Sequence, residues 1–146
     1  MNTTPAPENS PRSMLRVPEV PLISIVDDDE SVREALKSLI DSVGFRAELF
    51  RSGKEFLNSA HVSETACLIA DVRMPGMSGL ELQDRLNAAH FSVPIVFISA
   101  HEDEDARARG LRGGAVAFLQ KPFSEDSLLG AITDCLEKSQ NEKGDE

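Results

Sequence analysis

The chain contains no tryptophan and no tyrosine, only two cysteines and three histidines, and no long apolar run. Each scarcity excludes something. Cys67 and Cys135 both sit among apolar residues, which reads as two small core hydrophobes in a reducing compartment, not a disulfide scaffold. Cysteine and histidine never recur at metal-ligand spacing, so a zinc-type site is not expected. No stretch approaches the ~18 apolar residues of a membrane span, and the N-terminus lacks an apolar signal segment. A cytoplasmic protein with no membrane partner is therefore expected. Positive charge is scarce too: 15 Lys and Arg stand against 25 Asp and Glu, a formal net charge of −10. Duplex DNA is held mainly by Lys and Arg contacts to phosphate, and anionic membranes also recruit basic segments. No nucleic acid is expected to be held by this chain itself.

A chain of 146 residues is one domain's worth and long enough to bury a core. Pro5, Pro7, Pro11, Pro18 and Pro21, with scattered Ser, Thr and Asn, mark residues 1–21 as a flexible N-terminal arm. Residues 139–146 are polar and charged without apolar partners, and are expected to form a disordered C-terminal tail. The folded domain then spans residues 22–138.

Within that span strand and helix patterns alternate. Residues 22–26 read as a first strand. Val32, Ala35, Leu36, Leu39, Ile40 and Val43 recur as one helical face, with Ser31 and Glu34 as its capping box and Gly44 past its end. Residues 45–50 are mixed, as suits an edge strand. Ser52 and Glu55 open a short helix, residues 67–70 form a third strand, and Ser78 with Glu81 caps a helix carrying Leu82, Leu86 and Ala89. Residues 95–98 form a fourth strand. A helix from about Asp103 to Arg112 contains or precedes Gly110, Gly113 and Gly114, which predicts a weak, mobile element. A fifth strand at residues 115–119 precedes a helix capped by Ser124, with Leu128, Ile132, Cys135 and Leu136 facing inward. This alternation predicts an α/β fold: one five-stranded parallel sheet covered on both faces, a three-layer flavodoxin-like sandwich with strand order 2-1-3-4-5.

In such a sheet the loops after the strands emerge at one edge, where ligands bind. Strand 1 is followed by Asp27, Asp28, Asp29 and Glu30, strand 3 by Asp71, strand 4 by Ser99, and strand 5 by Gln120 and Lys121. Taken singly these are ordinary: acids at a helix start, a turn aspartate, a serine, a solvated lysine. Taken together, converging carboxylates need a cation, because two unit charges about 4 Å apart repel by about 4 kcal/mol at an effective dielectric of 20. Oxygen ligands suit Mg²⁺, Lys121 supplies a charge for a phosphoryl oxygen, and Ser99 supplies a neutral donor. The set describes a carboxylate that accepts a phosphoryl group.

Four motifs extend this: Ile25-Val-Asp-Asp-Asp29, Asp71-Val-Arg-Met-Pro-Gly-Met-Ser-Gly79, Pro94-Ile-Val-Phe-Ile-Ser-Ala100 and Phe118-Leu-Gln-Lys-Pro-Phe123. In this order the chain, from about Leu22 to Lys138, resembles the receiver domain of two-component response regulators, most closely receivers of nitrogen-fixation and LuxR-type regulators. The resemblance implies that Asp71 is the phosphoacceptor and that Mg²⁺ is held by Asp27, Asp28, Asp71 and the backbone carbonyl of Arg73. It implies that Lys121, before a cis bond to Pro122, pairs with the phosphoryl group. Ser99 and Phe118 would be the switch pair, and Arg73 and His101 would tune water access to the acyl phosphate. The implied partners are a histidine kinase or histidine phosphotransfer protein, an unidentified downstream protein and a phosphorylation-dependent second copy of the chain. The chain would be no enzyme beyond self-catalysed phosphotransfer to Asp71 and slow autodephosphorylation.

The phosphorylated state would change the surface of helix 4, strand 5 and helix 5. As outputs the sequence suggests a stand-alone receiver or, alternatively, the receiver of a DNA-binding transcription regulator. A third reading is a haloacid-dehalogenase-like phosphatase, from Asp27 and Asp29 as an Asp-x-Asp pattern. Against it, Ser31 stands where Thr or Val is expected, and a cap domain has no room.

Overall fold

A computed structural model describes residues 20–144; the N-terminal arm expected at residues 1–21 lies, except for Val20 and Pro21, outside them. Five strands alternate with five helices: β1 Leu22–Val26, α1 Glu30–Ser42, β2 Arg46–Phe50, α2 Gly53–Leu57, β3 Thr65–Asp71, α3 Gly79–Ala88, β4 Ile95–Ser99, α4 Glu104–Arg112, β5 Ala117–Gln120 and α5 Glu125–Gly144. The sheet order is β2-β1-β3-β4-β5, and every neighbouring pair is parallel. The expected architecture is therefore the observed one.

The central strands explain why. β1 and β4 are buried at every position, as strands covered on both faces must be. One face packs Ile23, Ile25, Ile69 and Ile98 against Leu36 and Ile40 of α1 and Leu128, Ile132 and Cys135 of α5. The other packs Leu68, Ala70 and Phe97 against Phe56 of α2, Leu82 and Leu86 of α3 and Ala106 of α4. The edge strand β2 alternates exposed and half-buried residues. Both cysteines are buried and unpaired by disulfide, and burial, with each beside the other, pushes the Cys67 thiol up.

Several local expectations need correction. α1 is capped by Asp29, whose side chain accepts from the amides of Ser31 and Val32, and not by a Ser31–Glu34 box. An aspartate two residues earlier serves as well as a serine, and it also meets the positive end of the helix. On that helix Ala35 and Val43 are exposed while Arg33 is buried. Ala89 is exposed as the C-cap of α3. The strands reach one residue further than the apolar runs, so Asp71 and Ser99 end β3 and β4 instead of following them. β5 starts later, at Ala117, because Val116 enters the sheet only through its amide bond to the Ile95 carbonyl.

One correction concerns the C-terminal third. α5 continues to Gly144, past the boundary expected at Lys138. Lys, Glu and Gln are good helix formers, and lengthening an existing helix adds one hydrogen bond per residue fixed. In α4 the glycine at 110 also serves packing. Gly110 is buried, and a Cβ there would lie 3.0 Å from the Phe97 ring. Where the sheet and helix approach this closely, the absent side chain is what lets α4 dock.

Candidate functional site

At one edge of the sheet β3 and β4 end in Asp71 and Ser99, and β1 and β5 are followed by Asp27 and Lys121. Asp27 leaves β1 with no exposed surface, anchored by its own amide, which donates to the Phe50 carbonyl at 3.1 Å. Its Oδ1 accepts from the Asp29 amide at 2.9 Å. Arg33, reaching back from α1, donates through Nη1 to the Asp27 carbonyl at 2.7 Å. The turn after β1 is thus held from both ends. Sequence reading missed Arg33, since an arginine near a helix start reads as solvated. The available signal was its spacing with Leu36 and Ile40, three and seven residues on, which places it on the buried side.

Asp71 Oδ1 accepts from the Arg73 amide at 3.1 Å. The turn after it is locked by two bonds: the Val72 amide to the Ile98 carbonyl at 3.0 Å, and the Gly79 amide to the Val72 carbonyl at 2.9 Å. Ser78 then opens α3 with the full capping box expected, its side chain accepting from the Glu81 amide while Glu81 accepts from the Ser78 amide. Gly79 presses so closely on this turn that a Cβ would collide with the Asp71 carbonyl oxygen. Backbone cannot swing aside as a side chain can, so Gly79→Ala is expected to destabilise the fold by about 2 kcal/mol. Urea denaturation of the two proteins without added metal checks this; an unchanged midpoint would show that the turn relaxes freely.

Oxygens of Asp27, Asp28 and Asp71 lie within 4.8 Å of one another. Lys121 Nζ stands 3.9 Å from Asp27 Oδ2, and the Lys121 amide donates to the Ser99 carbonyl at 2.8 Å, tying the two loops together. The Lys121–Pro122 bond is cis, as the resemblance implied. Burial pushes the Asp27 carboxyl up to about 6, relieved partly by the Asp29 amide and aggravated by the Asp71 charge. Asp71 is raised too, again mainly by burial, with the Arg73 amide and Lys121 pulling the other way.

These values reflect an uncompensated site. Among the described residues, the one buried side-chain oxygen or nitrogen without a hydrogen-bond partner is Asp27 Oδ2. An orphaned buried carboxylate oxygen beside two further carboxylates fits a hard divalent cation, which accepts oxygen ligands and leaves room for water or phosphate.

The remaining candidates are close by but engaged elsewhere. Ser99 is buried, and its hydroxyl donates to the His101 carbonyl at 2.8 Å while accepting from the His101 amide. Phe118 is half-buried in β5, its ring tilted 6.2 Å from that of Phe97. His101 is exposed. The phosphatase pattern needed Asp27 and Asp29 as a pair, but the Asp29 carboxylate is spent on capping α1.

Fold and site together define a doubly wound α/β protein whose strand ends build an acidic, cation-compatible pocket with one lysine. Comparison with known proteins narrows that class. The sequence model described as "Response regulator receiver domain" matches residues 23–133. The chain is 49% identical over 111 residues to the response regulator protein TodT of Pseudomonas putida, covering 76% of this chain and 49% of that one. It is 36% identical over 118 residues to the transcriptional regulatory protein FixJ of Bradyrhizobium diazoefficiens, covering 81% and 58%. Among solved structures, response regulator StyR superposes with a TM-score of 0.81 at 44% identity, covering 86% of this chain and 64% of that chain. The chain belongs to the response regulator receiver domain family. It spans about half the length of the curated relatives it matches. Receivers of this family take phosphoryl groups from histidine kinases and generally bind Mg²⁺ at an acidic pocket, and such an Asp cluster is present here. Among the described residues no helix is long and apolar enough to cross a membrane.

Proposed function

We propose that this chain is a phosphorylation switch in which Asp71 accepts a phosphoryl group from a histidine kinase or a histidine phosphotransfer protein. The observation that carries this reading is the orphaned Asp27 Oδ2 within a cluster of three carboxylates that includes Asp71. An oxygen of the Asp71 carboxylate bonds to phosphorus as the bond from phosphorus to the donor atom breaks, the electron pair leaving with the donor. Asp27, Asp28, Asp71 and the Arg73 carbonyl would hold Mg²⁺, which when bound neutralises charge on the transferring oxygens. Lys121 orients the phosphoryl group by charge, its ammonium N–H groups donating to phosphoryl oxygens. The proposed chemistry is limited to this self-catalysed transfer and the slow hydrolysis of the acyl phosphate to inorganic phosphate.

Readout follows from groups now engaged elsewhere. The Ser99 hydroxyl, held by its own loop, is the donor that a new phosphoryl oxygen would draw in. Phe118, half-buried against Phe97, would move into the space vacated. Together they bias the surface of α4, β5 and α5 between two states. Two outputs fit this switch. One is a stand-alone receiver acting by protein contact. The other is the receiver portion of a DNA-binding transcription regulator, favoured by the similarity to the transcriptional regulatory protein FixJ and by the share of that protein's length matched here. Gene length separates them. The net charge of −10 places any DNA contact outside this chain, and a cytoplasmic location is proposed with it.

The test is incubation of the protein with acetyl phosphate and Mg²⁺, followed by intact-mass measurement and peptide mapping. One phosphoryl group on the peptide carrying Asp71 is expected, and none when Mg²⁺ is chelated. A modification at another residue, or none, overturns the reading.

A further inference from the structure

One carboxylate joins the acceptor turn to α4. Asp103 is the N-cap of α4, its Oδ1 accepting from the Ala106 amide at 3.0 Å. Its other oxygen, Oδ2, takes the Arg73 guanidinium at 2.7 Å. Arg73 is rooted beside the acceptor, where its amide donates to Asp71 Oδ1. The arginine nearest the acceptor turn is thus drawn off to the start of a helix.

The two ends of α4 are held differently. At the C-terminal end three side chains from other helices hold the Gly110 carbonyl of α4 and two carbonyls of the turn after it: Gln83 on Gly110 at 2.8 Å, Asn87 on Gly113 at 3.0 Å and Lys138 on Gly114 at 3.2 Å. At the N-terminal end the side-chain tie to the acceptor turn is the Arg73–Asp103 pair. Arg73 is more than half exposed, and both residues line a cavity of about 300 Å³ with Val72, Met74 and Ala106. The guanidinium has room to leave Asp103 without displacing a packed side chain.

On the reading of Asp71 as phosphoacceptor, we propose that Asp103 is a positioning residue for phosphoryl transfer: it parks the Arg73 guanidinium away from the acidic pocket, and phosphorylation draws that guanidinium back to Asp71, releasing the start of α4. An anionic donor approaching Asp27, Asp28 and Asp71 is repelled, and a free guanidinium at the rim attracts it. Once a phosphoryl group is in place, it outbids a single carboxylate for arginine because it offers more charge and more acceptor oxygens. α4 then loses its N-terminal tie while its C-terminal end stays pinned, so it moves as a lever about Gly113.

The experiment compares initial rates of phosphoryl uptake from acetyl phosphate with Mg²⁺, in wild type, Asp103→Asn, Arg73→Gln, Arg73→Lys, and double variants that combine Asp103→Asn with Arg73→Gln or with Arg73→Lys. Asparagine caps helices as well as aspartate does, so Asp103→Asn removes the ion pair and keeps the cap. Asp103→Asn is expected to react about twofold to fivefold faster at low salt, the factor an exposed ion pair is worth, with the gain shrinking at high salt. The double variant with Arg73→Gln is expected to match Arg73→Gln alone, and Arg73→Lys is expected to keep part of the effect of the Asp103 change when the two are combined. An Asp103→Asn rate equal to wild type, or a gain that persists without Arg73, overturns this inference and leaves Asp71 as acceptor. Absence of any adduct on wild type overturns both.

Discussion

Asp71→Asn is expected to take up no phosphoryl group, with a loss of at least about a thousandfold in rate, as when other nucleophiles are removed. The amide that replaces the carboxylate has no charged oxygen to attack phosphorus, while Asp27, Asp28 and Lys121 remain in place. Folding is not expected to suffer. Burial raises the Asp71 carboxyl above its ordinary value, so the folded state binds that proton more tightly than the unfolded chain does. The ionised aspartate therefore costs stability above the ordinary carboxylate range, and a neutral asparagine avoids that cost. The variant should melt at the temperature of wild type or higher at neutral pH, and its amide oxygen still accepts from Arg73. Intact-mass measurement beside a thermal melt separates the two effects. An adduct on the variant at the wild-type rate would mean that the acceptor lies on another strand.

Much of this was legible in the sequence because two kinds of information coincided. Continuous apolar runs such as 95–98 have one way to be satisfied, burial on both faces, and the alternation with amphipathic helices then leaves a doubly wound sheet. Once strand order is fixed, Asp27, Asp71, Ser99 and Lys121 fall at one edge by topology alone. What escaped depends on contacts across the chain. Arg33 falls at buried-face spacing with Leu36 and Ile40, but the reason a charged side chain can lie there is the carbonyl of Asp27, six residues earlier, and the periodicity of α1 does not show that partner. Gly110 looked like a helix breaker until its docking against Phe97 was in view. Asp103 reads in the sequence only as the approximate start of a helix, since its second oxygen meets a residue thirty positions away. Asp29 took the capping role assigned to Ser31 because both residue types can fill it, and only the backbone turn after β1 decides which is in position.

Asp27→Asn is expected to stabilise the protein by about 3 kcal/mol at pH 7 without added Mg²⁺, and to abolish most of the stabilisation that Mg²⁺ confers. The buried carboxylate is the cause. Its ordinary value is 3.8 and the fold pushes it up to about 6, so between those values the folded state holds a proton that the unfolded chain has lost. Stability contributed by this group is fully present below about pH 3.8 and is lost as pH rises through about 6. At about 1.4 kcal/mol for each pH unit, the gap amounts to about 3 kcal/mol by pH 7. Asparagine does not titrate, its oxygen keeps the bond from the Asp29 amide, and its amide group supplies a donor where Asp27 Oδ2 now has no partner. The advantage should vanish near pH 4, where wild type is protonated as well. Wild type recovers the same energy in another way: a cation that binds the folded pocket and not the unfolded chain stabilises in proportion to the logarithm of its concentration over its dissociation constant. Urea titrations at pH 4 and pH 7, with and without Mg²⁺, measure both effects. If the variant were less stable than wild type at pH 7, the unpartnered oxygen would be a hydrogen-bond acceptor the fold relies on, and not the empty coordination point of a cation site.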